Sequence, residues 1–155
     1  MSTLKVNNIT SVASGPILRP NHPMFSAKGN DEQSAGDIIV SYDTEHFDIG
    51  GNYDTSNSTF TAPIAGIYEF HATIMFNGTN LTSYNYCFLD FQKNGSNFSQ
   101  EVMMPRPDGG GHASNQITQL MQLAVGDEVR VRCNVNGTTL TVRNSFRHFH
   151  GRLIG

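Results

Sequence analysis

The segment FTAPIAGIYEF, residues 60–70, decides the fold, because it places a proline and a glycine inside an otherwise apolar and aromatic sequence. After Gly66 the chain continues with the same strand-like composition as far as Phe76. Proline has no N–H group to donate to a neighbouring strand, and glycine weakens the interior of a strand. The segment is therefore either one strand that is broken twice or two strands that are joined by a corner.

Short alternating runs continue on both sides of this segment, and no long stretch shows the periodicity of a helix. Clusters of Gly, Asn, Asp and Pro separate the runs, and Asn94-Gly95 is a strong signal for a two-residue hairpin. The predicted strands are MFSA, DIIVSY, STFTA, GIYEFHATIMF, YNYCFLDFQ, NFSQEVMM, SNQITQLMQL, DEVRVRCNV, TLTV and FRHFHGRLI. This pattern predicts an all-β fold, either a sandwich or a barrel.

Alternation within the runs assigns side chains to the two faces of each predicted strand. In the run that follows Gly66, one face is apolar and consists of Tyr68, Phe70, Ala72, Ile74 and Phe76. The opposite face is semi-polar and consists of Ile67, Glu69, His71, Thr73 and Met75. In DEVRVRCNV, the side chains predicted to point inward are Val129, Val131, Cys133 and Val135, and those predicted to face water are Glu128, Arg130 and Arg132. Strands of the first kind are typical of a sheet that is covered on both sides, so the semi-polar face predicts contact with another subunit.

Composition excludes several classes of function. The 155 residues suffice for one domain. The net charge is −3 and the ten Lys and Arg residues are scattered, which argues against nucleic-acid binding. No apolar run approaches the roughly 18 residues of a membrane span, and no catalytic motif is present, so neither membrane insertion nor enzymatic activity is predicted. Cys87 and Cys133 are predicted to be free and buried.

The first 22 residues differ from the rest of the chain. Residues 1–22 contain few aromatic side chains and no convincing strand, although they include Leu4, Ile9 and Leu18. They are predicted to form an extended arm that becomes ordered only by packing on a neighbouring subunit or on a larger particle. Residues 23–155 are predicted to form the folded domain.

A set of aromatic, acidic and glycine residues then carries a family resemblance. The set consists of Asp48, Tyr53, Phe60, Gly66, Tyr68 and Phe70, with Tyr42 before it and Ala72 after it. Its spacing resembles the signature of the complement component 1q globular domain, in the tumour-necrosis-factor-like superfamily. Tyr42 stands where that signature has Phe, and Ala72 stands where it has Phe or Tyr. PMFSA, LAVGDEVRV and FHGRLIG resemble further strands of the family, so the resemblance covers about residues 23–155.

The resemblance implies a jelly roll of about ten strands in two packed sheets, which assembles as a homotrimer around a threefold axis. In that fold Pro63 ends one strand, and Gly66 turns the chain through a tight corner into the next. One sheet would face the axis, and the trimer would then cover the semi-polar face. The expected trimer-interface residues are Tyr68, His71, Gln119, Met121, His148 and His150.

Six histidines and several carboxylates raise the question of a bound ion. Around a threefold axis three copies of one imidazole could bind zinc or nickel, or could make the interface sensitive to pH. Calcium, which family members can bind near the axis, would find oxygen ligands in residues 42–48 and 108–111. The simpler interpretation is that the histidines hydrogen-bond across the interface and that residues 108–111 form a loop. No cofactor is therefore expected.

The opening residues MSTLKVNNI resemble those of short structural and fibre proteins from bacteriophages, notably marine ones. With no secretion signal or collagen-like stalk in the sequence, the protein is expected to be a virion component assembled in the bacterial cytoplasm. As a tail-fibre or adhesin tip it would bind a host surface glycan or protein through Asn80, Tyr84, Asp108, Gly109 and His112. Two alternatives stay open: a capsid or tail decoration protein attached through its N-terminal arm, and a secreted, extracellular lectin-like or cytokine-like ligand.

Overall fold

The computed structural model describes residues 22–77, 86–104, 111–137 and 140–155, and within these ranges it contains thirteen strands and no helix. The strands are β1 (Met24–Lys28), β2 (Gln33–Ala35), β3 (Asp37–Ile39), β4 (Thr44–Ile49), β5 (Tyr53–Asp54), β6 (Thr59–Thr61), β7 (Gly66–Phe76), β8 (Tyr86–Lys93), β9 (Ser96–Met103), β10 (Ala113–Leu123), β11 (Glu128–Asn136), β12 (Leu140–Val142) and β13 (His148–Leu153). The described residues include no helical segment long and apolar enough to span a membrane. The predicted all-β class is confirmed.

Seven strands form the first sheet, in the order β2–β12–β7–β13–β1–β4, and β10 also pairs with β7. The pairing of β7 with β10 is antiparallel and runs from Gly66 opposite Leu123 to Phe76 opposite Ala113. On its other side β7 pairs with β13, and β13 pairs in turn with β1. The run GIYEFHATIMF, predicted as one strand, is therefore the centre of this sheet.

Six strands form the second sheet, in the order β5–β6–β11–β8–β9, and β3 also pairs with β11. Strands β8 and β9 are joined by the predicted hairpin turn, in which Asn94 and Gly95 have φ values of 51° and 79°. Both residues adopt the left-handed conformation that this dipeptide accepts at low cost. Alternate residues of β11 from Val129 to Val135 are buried, as predicted from their spacing. The two sheets pack face to face, so the predicted two-sheet jelly roll is confirmed.

The opening segment is two strands joined by a corner. Strand β6 ends at Thr61, Pro63 lies in the bend, and β7 begins at Gly66. Gly66 does not have a positive φ, so the backbone conformation of a tight turn is not the reason for glycine at this position. A Cβ atom at this position would lie 2.6 Å from Leu153 Cδ1 and 2.7 Å from the carbonyl oxygen of Gly155. Glycine is required here because the C-terminal residues pass directly against the start of β7.

An aromatic cluster fills the centre of the sandwich. The ring of Phe25 stacks on Tyr53 at a centroid distance of 4.5 Å and meets Phe149 edge-on at 4.8 Å. Phe60 and Phe70 pack beside them, with their centroids 5.5 Å apart. Such pairs contribute about 0.5–1.5 kcal/mol each beyond the burial of their area. The aromatic residues of the family signature therefore build the core and do not form an exposed site.

The strand prediction missed β2, β4 and β5. Strand β4 pairs with β1 at the edge of the first sheet, and a register shift between Ser26 and Ala27 interrupts its alternation. Most of its residues are exposed, so no apolar stripe marks them in the sequence. Strand β5 has only two residues and lies inside GGNYDTSNS, one of the Gly- and Asn-rich clusters that separate the predicted strands. Short edge strands of this kind depend on a neighbour for their hydrogen bonds and carry little local signal.

Both cysteines are buried, as predicted, and no disulfide bond joins them. Their Sγ atoms lie 3.7 Å apart in the core beneath the second sheet. The hydrogen bond with the Cys87 thiol, together with burial, raises the pKa of Cys133 far above its ordinary range, so this thiol stays protonated. The predicted arm lies outside the described residues except for His22, whose ring contacts the carbonyl oxygen of Leu153 at the end of β13.

Candidate functional site

The outward side of the first sheet is the candidate site. We call it the histidine face and define it by three rows of neighbouring side chains on β4, β1, β13, β7 and β10. The first row consists of Thr44, Lys28, His148, Thr73 and Gln116. The second consists of Phe47, Ser26, His150, His71 and Thr118. The third consists of Ile49, Met24, Arg152, Glu69 and Leu120.

Two imidazoles meet in the second row. His71 and His150 are directly opposite each other in the pairing of β7 with β13, and their ring centroids are 4.9 Å apart. The Nδ1 atom of His71 lies 2.7 Å from the hydroxyl oxygen of Thr118 on β10. A hydrogen bond at Nδ1 fixes the ring and leaves Nε2 directed elsewhere. The second row therefore holds one oriented imidazole beside another.

A second pair of histidines lies at the edge of the first row. His148 stacks near His46 of β4, with a centroid distance of 6.3 Å. The pKa values of His148 and His150 are both lowered, mainly because burial penalises the charged ring and secondarily because neighbouring histidines repel it. These imidazoles are therefore uncharged at neutral pH.

The third row combines one ion pair with apolar side chains. A guanidinium nitrogen of Arg152 lies 2.8 Å from Glu69 Oε2. Leu120 and Phe47 are 53% and 47% exposed, and Ile49 and the nearby Ile67 are 39% and 44% exposed. A groove of about 450 Å³ lies over β1 and β13, lined on this face by Met24, Phe47, His150 and Arg152 among others. Large apolar side chains thus remain exposed around a nearly charge-balanced centre.

The structure divides the predicted trimer-interface residues into two groups. His71, His148 and His150 lie on the histidine face. Tyr68 and Met121 are fully buried in the chain's own core, so the prediction that they contact another subunit is wrong for these side chains. Gln119 lies on the same inward side of β10 as Met121 and is half-buried. The error has a simple cause, because alternation already placed Tyr68 opposite to His71.

Most of the predicted ligand-binding residues fall outside the described part of the chain. Asn80 and Tyr84 lie within residues 78–85, and Asp108 and Gly109 lie within residues 105–110. His112 is described, and its Nε2 atom lies 3.0 Å from a guanidinium nitrogen of Arg143. The guanidinium carbon of Arg143 lies 4.9 Å from the centre of the Phe146 ring, which is a cation–π contact.

The predicted calcium ligands in residues 42–48 serve the fold. Asp48 Oδ2 accepts a hydrogen bond from the backbone of Tyr53 at 2.9 Å, and Asp43 Oδ1 accepts one from the backbone of Asn30 at 2.9 Å. The other calcium segment, residues 108–111, is described only at Gly111. Across the described ranges no group of three or more His, Cys, Asp or Glu side chains is arranged to hold a metal ion within one chain.

Three arginines near the C-terminus have separate roles. Arg143 contacts His112, and Arg152 pairs with Glu69 on the histidine face. Arg147 is buried, and burial lowers the pKa of its guanidinium, whereas the nearby Asp43 opposes that shift. These three arginines therefore do not form a basic patch together.

Sequence reasoning missed a charged cluster on the outward side of the second sheet. Arg132 donates hydrogen bonds to Asp37 at 2.6 Å and to the fully buried Asp90 at 2.9 Å. The Arg132 hydrogen bond lowers the pKa of Asp37, whereas burial raises that of Asp90. Arg132 was predicted to face water because it alternates with buried valines. The available signal was Asp90 itself, a charged residue inside the apolar run CFLDF that required a partner.

Comparison with known proteins agrees with this architecture. A family model described as the C1q domain matches residues 24–154. The globular domain of a zebrafish complement 1qA protein aligns with a TM-score of 0.65 and 16% identity, over 86% of this chain and 98% of the other. The Eiger TNF structure from S. frugiperda aligns with a TM-score of 0.68 and 12% identity, over 88% of this chain and 94% of the other. At these identities the two structures establish the fold alone.

Proposed function

Because the chain belongs to the C1q domain family, we propose that it is a non-enzymatic ligand-binding module that works as a homotrimer. Domains of the C1q/TNF-like fold are generally non-enzymatic ligand-binding modules and commonly form homotrimers. One observation in this chain carries the proposal. The histidine face exposes Leu120 and Ile67 at one end and Phe47 and Ile49 at the other, around a centre with little net charge.

A second copy of the chain suits this face better than water does. Several large apolar side chains exposed on one face of a sheet are typical of surfaces that another protein covers. The side chains of Glu69 and Arg152 already neutralise each other within one chain, so covering them leaves no lone charge. In a ring of three, the Leu120 end of one copy would lie against the Phe47 end of the next.

Ligand contact is proposed at one end of the sandwich. The described strands that flank residues 78–85 and 105–110 end there together, since Phe76 pairs with Ala113 and Cys87 pairs with Met103. His112 and Arg143 lie at the same end and present an imidazole and a guanidinium beside an exposed aromatic ring. Such groups suit a polar or anionic surface ligand, for example a glycan or an acidic protein segment.

The homotrimer is tested by Leu120→Arg, which places a charge in the proposed interface. Size-exclusion chromatography with light scattering should show a trimer for the unchanged protein and a monomer for the variant. Val125→Arg is the matched control, because Val125 is also an exposed apolar residue but lies in the turn between β10 and β11. This control should stay trimeric. A stable monomer of the unchanged protein at micromolar concentration would contradict the proposal.

A more specific role for the ligand-binding module, as a virion tail-fibre or adhesin tip, stays a proposal. It is supported only by the resemblance of residues 1–9 to phage proteins. Its test is to locate the protein in purified particles and to measure the binding of those particles to host cells. A decoration protein would be present in the particles but would not be needed for binding. A protein found free in the medium and absent from particles would support the secreted-ligand alternative.

A further inference from the structure

We propose that His71 and His150 of one chain together bind a divalent transition-metal ion of the zinc, nickel or copper class. Both side chains point outward from the first sheet, and the two residues are direct partners in the pairing of β7 with β13. Imidazole nitrogen is a preferred ligand of these ions. The site is distinct from an ion on a symmetry axis, because both ligands belong to the same chain.

The spacing of the two rings suits chelation of one ion. A Zn–N bond of about 2.1 Å places the centre of each ring about 3.2 Å from the metal, so rings at a tetrahedral angle have centres about 5 Å apart. The centroids of His71 and His150 are 4.9 Å apart. The centroids of His46 and His148 are 6.3 Å apart, a spacing that would need a nearly linear arrangement. Tetrahedral zinc does not adopt that arrangement, so the first pair is the favoured site.

Thr118 supplies the orienting contact that metal-binding histidines usually have. Its hydroxyl oxygen lies 2.7 Å from His71 Nδ1. When Nδ1 donates its proton to this oxygen, Nε2 carries the lone pair that a metal requires. Thr118 lies on β10, on the opposite side of β7 from β13, so the imidazole of His71 is held between its anchor and His150.

The surroundings of the pair leave room for an ion and its remaining ligands. The polar and charged side chains at adjoining positions of the same face are Ser26, Lys28, Glu69, Thr118, His148 and Arg152. The positive charge of Arg152 is countered by Glu69 at 2.8 Å. The groove along β13 reaches His150, so water can complete the coordination. The proposal therefore requires no group from a second chain and does not depend on the homotrimer.

Titration calorimetry of the full chain with zinc chloride at pH 7.5 tests the site. We expect one ion per chain. His71→Gln and His150→Gln should each weaken binding by more than about tenfold, and Thr118→Val by about tenfold, as the loss of an orienting partner does. His148→Gln is the matched control, because it removes an imidazole from the same strand and face, and its affinity should stay within about twofold of the unchanged protein. Circular dichroism and the unfolding temperature check that each variant is folded.

Three outcomes would overturn the site. Absence of zinc binding in the unchanged protein would exclude it. One ion per three chains would place the metal between subunits and not on a pair within one chain. Equal losses in His148→Gln and His71→Gln would indicate binding to surface histidines in general. If His71→Gln does not fold, two other measurements decide the question. One is the zinc affinity of His150→Gln. The other is the visible absorption of the protein loaded with cobalt, which zinc should abolish if both ions bind the same site.

Discussion

The outward sides of the two sheets each carry a polar cluster across their central strands, and the two clusters differ in whether opposite charges meet within them. On the second sheet, Arg132 bridges Asp37 and the buried Asp90 with hydrogen bonds of 2.6 and 2.9 Å. Each carboxylate there has the same guanidinium as its partner, so opposite charges already face each other within one chain. On the first sheet, His71 and His150 are alike, so neither completes the other.

The difference separates a structural pair from a functional one. A buried carboxylate with its guanidinium is costly to break, because the partner left behind stays desolvated. Two adjacent imidazoles have no partner of opposite charge in each other, so a metal ion or another subunit can bind to them. Changes to the second sheet should therefore reduce stability, and changes to the histidine face should alter assembly or binding.

The largest effect is expected from Arg132→Ala, which leaves Asp90 buried without its guanidinium. The free energy of unfolding should fall by about 3 kcal/mol, at the lower end of the cost of breaking a buried ion pair. Urea unfolding at a fixed protein concentration measures the change. Arg130→Ala is the control. Within the described residues, the side chain of Arg130 donates a hydrogen bond to the neutral Gln92 at 3.1 Å and pairs with no carboxylate. Equal losses in both variants would mean that the ion pair with Asp90 has no special role.

A smaller loss is expected from Gly151→Ala, which alters the first sheet beneath the histidine face. The added Cβ would overlap the ring of Phe70 and lie 2.8 Å from Phe25 Cε1. Overpacking of this kind costs about 1–3 kcal/mol. Gly36→Ala makes the same chemical change where no atom lies within 4 Å, and it should be nearly neutral. Unchanged stability of Gly151→Ala would show that the aromatic cluster can move aside.

The two regions should lose stability in different pH windows. The pKa of His150 is lowered in the folded protein. Its contribution to the free energy of unfolding is therefore present above pH 6.5, the ordinary pKa of the ring, and is lost as the pH falls through the lowered pKa. Hydrogen bonds from Lys93 and Asn94 lower the pKa of Asp127, the residue immediately before β11 of the second sheet, from 3.8 to about 2. Its contribution is present above pH 3.8 and is lost as pH falls toward 2.

Unfolding temperatures measured against pH in the presence of a chelator check both windows. His150→Gln should reduce the pH dependence in the upper window only, where His148 also contributes, and Asp127→Asn should reduce it in the lower window only. If either substitution flattens both windows, the two regions are coupled and the comparison between them fails.

The smallest effect concerns the cysteines beneath the second sheet. A thiol reagent should not react with Cys87 or Cys133 while the protein is folded, because both are buried. Labelling should increase in Arg132→Ala, which loosens the second sheet, and should stay low in Leu120→Arg, which alters only the histidine face. Rapid labelling of the unchanged protein would show that the second sheet opens readily.

Alternation in the sequence determined the faces of the long strands. The run GIYEFHATIMF is β7 from its first residue to its last, and every side chain predicted to point inward from it is buried. The Asn94-Gly95 turn was equally local, since positive φ values are a property of those two residues. These features depend on neighbours in the chain, so a single sequence contains them.

Tertiary structure alone decided which side chains meet. His71 and His150 are far apart in the chain and become partners only through the register of β7 with β13. The packing of Phe25, Phe149 and their aromatic neighbours specifies that register, and a slip of β13 by one residue would send His150 into the core and away from His71. The bridge from Arg132 to Asp37 and Asp90 likewise depends on the order β3–β11–β8 in the second sheet. Sheet order and register result from long-range packing, which the alternation of one strand cannot encode.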